Sequence, residues 1–416
     1  MDEIEIEVPS FFVCPISLEI MKDPVIVSTG ITYDRDSIEK WLFSEKNNTC
    51  PVTKQLLTDS ELTPNITLRR LIQSWCALNS SYGIERFPTP RAPVSKSQLV
   101  KIFNDARAPE LRLKSLEKLR SIASQNETNK RSMESAGAAE FLASIVSRTV
   151  DREVTSTSGS EEILDLMKAG EEALSILYNL QLSENGLKSL LQVRNGKFIE
   201  SLVLVMQRGS YESRAYAVML LKSMAEFADS LQLMNLSKEF FVELVQILHD
   251  NISKKASKAA LKLLISICPS GRNRIKAVEA GAVQILIELL LESSEKRSTE
   301  MMIMVLDLLC QCAEGRAELL KHGAGLAMVS KKILRVSRVT SERAVKILYS
   351  IGKFSATPAI VQEMLSLGVV AKLCLVLQVD IGNKSKERAG EMLKLHARAW
   401  KNSQCIPMGL LSLYPC

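Results

Sequence analysis

Nine-residue segments of one pattern recur six times in this chain, and this repetition constrains the fold more than any other feature. The fifth position of each segment is a leucine, and the steps between these leucines are 58, 44, 43, 45 and 39 residues. The segments are SLEKLRSIA (115–123), ALSILYNLQ (173–181), AVMLLKSMA (217–225), ALKLLISIC (260–268), VLDLLCQCA (305–313) and AVKILYSIG (344–352). One such unit cannot bury its own apolar face, so the repetition predicts stacked helical units around a continuous leucine core.

A second signature, centred on glycine, follows most of these segments. It reads ESAGAAEFLASIV (134–146), VEAGAVQILIELL (278–290), KHGAGLAMV (321–329) and LSLGVVAKLCLVL (365–377). Glycine in this column fits a tight turn between helices, where the backbone is left-handed or approaches a neighbour closely. A period near 43 with two or three helices per unit is typical of armadillo or HEAT repeats, and the Gly-Ala turn resembles armadillo repeats. We therefore expect a right-handed armadillo superhelix.

Local composition and repetition divide the chain into regions. The repeats are expected over 98–401, with residues 402–416 as a C-terminal tail. The first step is longer than the others, and SRTVDREVTSTSGSEE (147–162) is predicted to be a flexible insert that accounts for the excess. Residues 79–97, rich in Pro, Gly and Ser, are typical of a linker, and residues 8–78 form a separate N-terminal domain.

Composition bounds the class of protein. Aromatic residues are only 5% of the chain and strand signals are sparse, which favours a mainly α protein packed by aliphatic side chains. The net charge is +6 without any Lys/Arg-dense stretch that interleaves aromatics, so we expect no nucleic-acid partner. No uncharged apolar run reaches about 18 residues, and MDEIEIEVPS is not typical of a signal peptide. We expect no transmembrane segment and a cytoplasmic location, with the nucleus or a membrane periphery reached through partners as alternatives.

The N-terminal domain reads as a small α/β unit. Short strands are predicted at 25–27 and 31–33, Asp34 as a helix cap, a helix over 35–43, and a last helix from Pro64-Asn65. The stretch CPISLEIMKDPV (14–25) looks like part of a zinc-binding RING, yet the domain offers three cysteines and no histidine. A RING needs about eight Cys/His ligands, so we expect no zinc and no other cofactor. Apolar packing and charge-assisted hydrogen bonds must hold the fold instead. The candidates for that network are Ser17, Glu19, Asp23, Asp34, Arg35 and Asp36.

Four motifs in this domain resemble a U-box, the zinc-free relative of the RING. They are CPISLEIMKDPV, GITYDRDSIEKWL, TCPVTKQ and LTPNITLRRLIQSW, and they span about 70 residues. With the linker and the repeats, the chain resembles plant U-box ubiquitin ligases whose U-box lies near the N-terminus. The resemblance implies a ligase that forms no covalent ubiquitin intermediate: it docks a ubiquitin-charged conjugating enzyme, and its repeats recruit protein substrates. It also suggests plant immune or stress signalling.

The same resemblance assigns roles to individual residues. Ile16, Trp41 and Pro51 match the groove that docks the conjugating enzyme, although Ile16 and Trp41 could simply be core residues. Lys54 matches a position where several U-boxes carry an arginine that bridges conjugating enzyme and ubiquitin; a solvated surface lysine is the other interpretation. Cysteines 14 and 50 are interpreted as core residues, since no histidine partners either as a nucleophile. The residues expected to hold the U-box structure are Cys14, Asp23, Pro24, Tyr33, Arg35 and Cys50.

Several alternatives stay open from the sequence. A non-catalytic adaptor with a degenerate U-box is the second hypothesis. Peptide binding of the nuclear-import type is the third hypothesis. It needs Trp and Asn in successive repeats, whereas Trp400 is the single tryptophan in the sequence of the repeat region. Thr89, which precedes a proline in the linker, is a candidate phosphorylation site. U-boxes often pair with each other, so a homodimer is a further candidate.

Overall fold

The structure is a computed structural model and describes residues 7–44, 47–57, 62–80, 94–155 and 161–401. The described residues fall into two compact units. The first holds those up to Phe141 together with Asn179–Gln181, and the second holds 142–178 and the residues from Leu182 onward. The N-terminal domain therefore shares one unit with the first helices of the repeat region. Thr89 and the tail 402–416 lie outside the described residues.

The N-terminal domain combines a small antiparallel sheet with two helices. Its elements are a 3-10 turn Ser10–Phe12, strands β1 (Pro24–Ile26), β2 (Thr32–Asp34) and β3 (Thr63–Pro64), and helices α1 (Arg35–Glu39) and α2 (Ile66–Leu78). The sheet order is β2-β1-β3, and helix α1 continues as a π-helical segment Lys40–Ser44. The predicted strands are each displaced by one residue. The predicted start of the last helix is confirmed, because the Asn65 side chain caps α2 by accepting from the Leu68 amide at 3.1 Å.

The core of this domain gathers residues from every element. Tyr33 of β2, Ile38 of α1 and Ile72 of α2 are at most 1% exposed. The remaining buried members of the cluster are Phe12, Cys14, Met21, Val25, Val27, Leu42, Cys50 and Cys76. A domain this small buries little apolar surface, so hydrogen bonds and ion pairs must supplement its core.

The repeat region is helical throughout its described part. In the first unit it comprises α3 (Lys96–Asp105), α4 (Pro109–Ala123), α5 (Glu127–Ser135) and the start of α6 (Ala138–Thr155). The helices that follow are α7 (Glu161–Asn179), α8 (Glu184–Gln192), α9 (Phe198–Arg208), α10 (Tyr211–Ala225), α11 (Ser230–Met234), α12 (Lys238–Asp250), α13 (Lys254–Ile267), α14 (Gly271–Glu279), α15 (Ala282–Glu292), α16 (Lys296–Leu309), α17 (Ala313–Lys321), α18 (Gly325–Lys332), α19 (Arg338–Phe354), α20 (Pro358–Ser366), α21 (Val369–Gln378), α22 (Asn383–Leu395) and α23 (Ala397–Lys401). The region begins two residues before the predicted Gln98, because Ser95 and Gln98 form a capping box that starts α3 at Lys96.

The leucine column lies where the repetition predicts. Its six members are at most 3% exposed, and they lie in α4, α7, α10, α13, α16 and α19. In the second unit, α10 packs against α13, α13 against α16, α16 against α19, and α19 against α22. Helices α10, α13, α16, α19 and α22 therefore form one continuous layer of the second unit, as stacked repeats require. Trp400 is 2% exposed, so it is a core residue and offers no ring to a bound peptide.

The glycine turns are confirmed at three of four predicted places. Gly137, Gly281 and Gly368 have φ of 87°, 87° and 68° and each immediately precedes a helix. The segment KHGAG differs, since neither Gly323 nor Gly325 has a positive φ. A Cβ atom at Gly325 would lie 2.0 Å from the backbone oxygen of Leu319. Glycine is therefore required there by the close approach of the two backbones.

The flexible insert predicted over 147–162 is wrong at both of its ends. Helix α6 runs to Thr155 and α7 begins at Glu161, while residues 156–160 lie outside the described part. The hydroxyl groups near the start of this stretch are buried and bonded: Ser147 accepts from Ser201 at 3.0 Å, and Thr149 donates to the carbonyl of Ile145 at 3.0 Å. The polar composition of this stretch predicted a loop. Because these hydrogen bonds satisfy the hydroxyl groups, the side chains can instead be buried between packed helices.

None of the described helices is by itself long and apolar enough to cross a membrane. Helices α20 and α21 pass such a test only as a pair, and they are bent by 67° at the break between them.

Candidate functional site

Two loops of the N-terminal domain have the same conformation, Cys14–Leu18 (CPISL) and Cys50–Lys54 (CPVTK). In each, the fifth residue donates its amide hydrogen to the carbonyl of the cysteine, at 2.9 Å in both loops. The cysteine amides donate to Glu19 and Gln55, both at 2.8 Å. The repeated pattern Cys-Pro, apolar, hydroxyl was a signal for this equivalence, and sequence reasoning missed it.

Both loops end in a residue with a left-handed backbone. Leu18 has φ of 59° and Lys54 has φ of 60°. Side chains other than glycine rarely adopt this region, so the surrounding hydrogen bonds must fix each loop. The consequence is an outward-facing side chain at the same place in both loops: Leu18 is 78% exposed, and Lys54 is also exposed.

Strand β2 joins the two loops through their sulfur atoms. Sγ of Cys14 accepts from the Asp34 amide at 3.3 Å, and Sγ of Cys50 lies 3.0 Å from the Tyr33 hydroxyl. The Tyr33 hydroxyl also accepts from the amide of Val52 at 3.2 Å, so it contacts the second loop at two points. Consecutive residues of one strand thus hold both loops, and Cys14, Tyr33 and Cys50, which were predicted to be structural residues, all take part in these contacts.

The environment of Cys50 favours its thiolate. Burial raises the pKa of this thiol, but hydrogen bonds from Thr29, Thr53 and Tyr33 lower it more strongly, and the net result is a pKa lowered from 9.0 to about 6. Burial also raises the pKa of the Tyr33 hydroxyl, and the bond to Cys50 raises it further. The Cys50 sulfur is 0% exposed, so its charge can stabilise the loop but cannot meet a large substrate.

Trp41 lies between the central helix and the second loop. Its Nε1 donates to the carbonyl of Thr49 at 2.7 Å, and Nζ of Lys54 is 5.7 Å from its ring centroid. The ring is half-buried and packs on the domain core, as does the side chain of Ile16. Pro51 is half-buried in the second loop. The predicted trio is thus neither core nor fully exposed, and exposed Leu18 and Val52 extend the apolar surface of the two loops.

Arg35 and Asp23, two predicted members of the charge network, form an ion pair that one unpredicted residue extends. Nε of Arg35 donates to Asp23 at 2.6 Å, and Arg69 of α2 lies 3.6 Å from the same carboxylate. Sequence reasoning missed Arg69, since its nearness to the half-buried Asp23 depends on how α2 packs. Pro24 is buried and pairs with Asp34 in the sheet. These contacts bind β1, α1 and α2 to one another.

Asp34 stands at the N-cap position of α1, as the sequence predicts, but its side chain makes no capping bond. Its carboxylate accepts from the amides of Lys22 at 2.7 Å and Asp23 at 2.9 Å instead. The helix start receives no side-chain cap bond. The turn before β1 supplies these two amides and competes successfully with the helix start for this acceptor.

In the described part of the chain, no three His, Cys, Asp or Glu side chains come together as metal ligands. The sulfur atoms of Cys14 and Cys50 have hydrogen-bond partners from the protein itself.

Comparisons with known proteins agree with this architecture. Residues 8–81 match the model of the U-box domain, and residues 97–416 match the model of the plant U-box protein ARM repeat region. The E3 ubiquitin-protein ligase PUB22 of Arabidopsis thaliana is 57% identical, with all of both chains covered. PUB23, a ligase of the same description and organism, is 60% identical over all of this chain and 99% of its own.

A solved structure supports the repeat fold independently of sequence. It comes from work on the phosphorylation-controlled interaction between cadherin and beta-catenin, and covers 81% of this chain and 58% of its own with a TM-score of 0.58 at 13% identity. At that identity the likeness concerns the fold alone. The predicted fold, mainly α with a small U-box before armadillo repeats, is confirmed, and the chain belongs to the plant U-box ubiquitin ligases with C-terminal armadillo repeats.

Proposed function

We propose that the two loops and α1 dock a ubiquitin-charged conjugating enzyme, with Ile16, Trp41 and Pro51 as the contact residues. The observation that carries this proposal is the state of Trp41: a half-buried ring, held by its bond to Thr49 and flanked by two loops of fixed conformation. A rigid, shallow apolar surface suits docking, since little conformational entropy is lost on binding.

The ligase acts by positioning, without a nucleophile of its own. Cys14 and Cys50 are 0% exposed, so neither sulfur can reach a ubiquitin thioester. The amine of a substrate lysine attacks the thioester carbonyl on the conjugating enzyme, an isopeptide bond forms, and the C–S bond breaks. The conjugating enzyme's cysteine leaves as the thiol, and the lysine loses a proton. Holding the charged conjugate in a reactive geometry supplies the rate gain.

Lys54 is proposed to contact ubiquitin from beside this surface. Its ammonium group is exposed and lies over the Trp41 ring, so it is placed at the edge of the apolar surface. A lysine carries one point charge and lacks the bidentate fork of an arginine. We therefore expect weaker locking of ubiquitin than an arginine would give at this position.

The U-box is proposed to fold without zinc or any other cofactor. The hydrogen bonds to Cys14 and Cys50 support this, because they fill the role that coordination plays in a metal-bound loop. Chelation should accordingly leave activity intact.

The armadillo repeats are proposed to recruit protein substrates, with the cytoplasm as the site of action and plant immune or stress signalling as the setting. Stacked repeats present a long surface suited to partner proteins, which supports recruitment. The setting rests on the family resemblance. Pairing of U-boxes into a homodimer is proposed on the same basis, and sedimentation at micromolar concentration tests it.

A self-ubiquitination assay tests the function. Wild type, Ile16→Ala and Trp41→Ala would be compared across a panel of conjugating enzymes, with a chelator in a parallel series. Ubiquitin ladders from wild type that survive chelation and are lost in both variants are expected. Absence of wild-type ladders across the panel would favour the adaptor hypothesis, and ladders from correctly folded variants would show that the docking residues are misassigned.

A further inference from the structure

Glu39 connects the U-box to the repeat region within the first unit. It is the last residue of α1, 2% exposed, and its carboxylate accepts from the amides of Glu127 at 3.0 Å and Thr128 at 3.4 Å. The Thr128 hydroxyl donates to the same carboxylate. Sequence reasoning assigned no role to Glu39, because no neighbouring residue in the chain indicates a partner 88 positions away.

These contacts complete the start of helix α5. The first amides of any helix lack partners inside the helix. In α5, the Asn126 side chain accepts from the amide of Asn129 at 2.7 Å, and Glu39 takes the two amides before it. A carboxylate at this end also interacts favourably with the helix dipole. A residue of the U-box therefore acts as part of the N-terminal cap of a repeat helix.

The charge of Glu39 is balanced from the U-box side. Arg35, one turn earlier in α1 and 6% exposed, lies 3.7 Å from Glu39 and 2.6 Å from Asp23. Arg69 completes the chain at Asp23. Burial raises the pKa of Glu39 by more than the hydrogen bonds from Thr128 and the charge of Arg35 lower it. Removing one partner from such a buried set leaves an unpaired charge, which is far more costly than the net value of the pair.

Helix α1 with its π-helical extension consequently has three occupied sides. Ile38 and Leu42 enter the U-box core, Trp41 lies at the proposed docking surface, and Glu39 joins α5. We propose that Glu39 and Thr128 are positioning residues of the ligase, which fix the docking helix on the repeat region so that ubiquitin reaches a restricted set of lysines. This inference rests on the proposed docking function.

Thr128→Val tests the proposal and Thr128→Ser is its matched control. Valine keeps the shape of threonine but cannot donate to Glu39, whereas serine retains the hydroxyl. Two reactions would be measured. The first is discharge of the charged conjugating enzyme to free lysine, which needs only docking. The second is self-ubiquitination, in which mass spectrometry gives the distribution of ubiquitin over the lysines of the chain. A loss of folding would lower both reactions together.

We expect Thr128→Val to leave discharge to free lysine unchanged. The share of the most modified lysine should fall about two-fold or more as modification spreads, because positioning restricts which amines reach the thioester. Thr128→Ser should keep the wild-type distribution. An unchanged distribution in Thr128→Val would overturn the proposal.

Hydrogen exchange separates this proposal from the docking proposal. If wild type discharges no conjugating enzyme, the docking function has failed, and the contact is then judged by exchange alone. The amides of 35–44 and 127–135 should gain exchange together in Thr128→Val and stay protected in Thr128→Ser. Protection that is unaltered in both segments of Thr128→Val would contradict the Glu39 contact itself.

Discussion

The Tyr33 hydroxyl bonds two groups of the second loop, the Val52 amide and the Cys50 sulfur. Tyr33→Phe removes both bonds and leaves a partly buried amide without its partner. We expect the free energy of unfolding to fall by about 1–3 kcal/mol, measured by denaturant titration. Tyr211, 68% exposed, is the matched control, and Tyr211→Phe should leave stability unchanged. Equal stability of the two variants would show that the Tyr33 bonds contribute nothing.

The lowered pKa of Cys50 predicts a pH dependence of stability. Its folded-state pKa, about 6, lies below the value of 9.0 expected in the unfolded chain, so unfolding takes up a proton between these values. The contribution is therefore complete above pH 9 and is lost as pH falls through 6. Stability measured from pH 6 to 9 should rise more steeply in wild type than in Cys50→Ser. Parallel pH profiles of the two proteins would contradict a stabilised thiolate.

Individual site residues were predictable where a short motif fixes a local contact. The motifs identified Asp23, Tyr33, Arg35 and Cys50 as structural residues. Which of them touch, Arg35 with Asp23 and Tyr33 with Cys50, came only from the structure. Asp34 stands at the predicted N-cap position, but its carboxylate bonds the amides of Lys22 and Asp23, a contact that depends on the fold of the preceding turn. The role of Glu39 could not be read from sequence, since it depends on a helix that the linear order places far away.

Glycine turns between repeat helices are the clearest test of how elements are joined. Gly281 has φ of 87°, a backbone conformation that costs an alanine about 1–2 kcal/mol. Gly281→Ala should lower the free energy of unfolding by that amount. Gly390, inside α22 with open space around its Cβ position, is the control, and Gly390→Ala should raise stability by about 0.5–1 kcal/mol. Changes of the same sign in both variants would contradict this account of the turns.

Helices were predicted well where apolar residues recur and poorly where polar residues are buried. The leucine column located six helices, because burial of one face requires that spacing. The same reasoning predicted a loop where the end of α6 lies. Hydrogen bonds such as the one from Ser201 to Ser147 depend on a neighbouring helix, which the local sequence does not reveal. Gly196, with φ of 87°, makes another turn of this kind that the segment comparison did not find.

Successive repeats are also joined by ion pairs across the layer of column helices. Asp307 of α16 is 2% exposed and accepts from Arg343 at 2.7 Å and Lys346 at 2.9 Å, both in α19. Asp307→Asn should lower the free energy of unfolding by about 1–3 kcal/mol in thermal or denaturant melts. Asp380→Asn is the control, because the Asp380 side chain is 96% exposed, and it should leave the melt unaltered. Similar melts for both variants would mean that this pair does not join the repeats.

As a whole molecule, the chain joins a U-box with a proposed docking surface to a stack of repeats, so its action depends on where the conjugating enzyme binds. The most direct measurement is the affinity of an uncharged conjugating enzyme for the full chain, by calorimetry or interferometry. Trp41→Ala should weaken binding about ten-fold or more, whereas Leu78→Ala, at a side chain 80% exposed on α2, should match wild type. Equal affinity of wild type and a correctly folded Trp41→Ala would contradict docking at the two loops and α1.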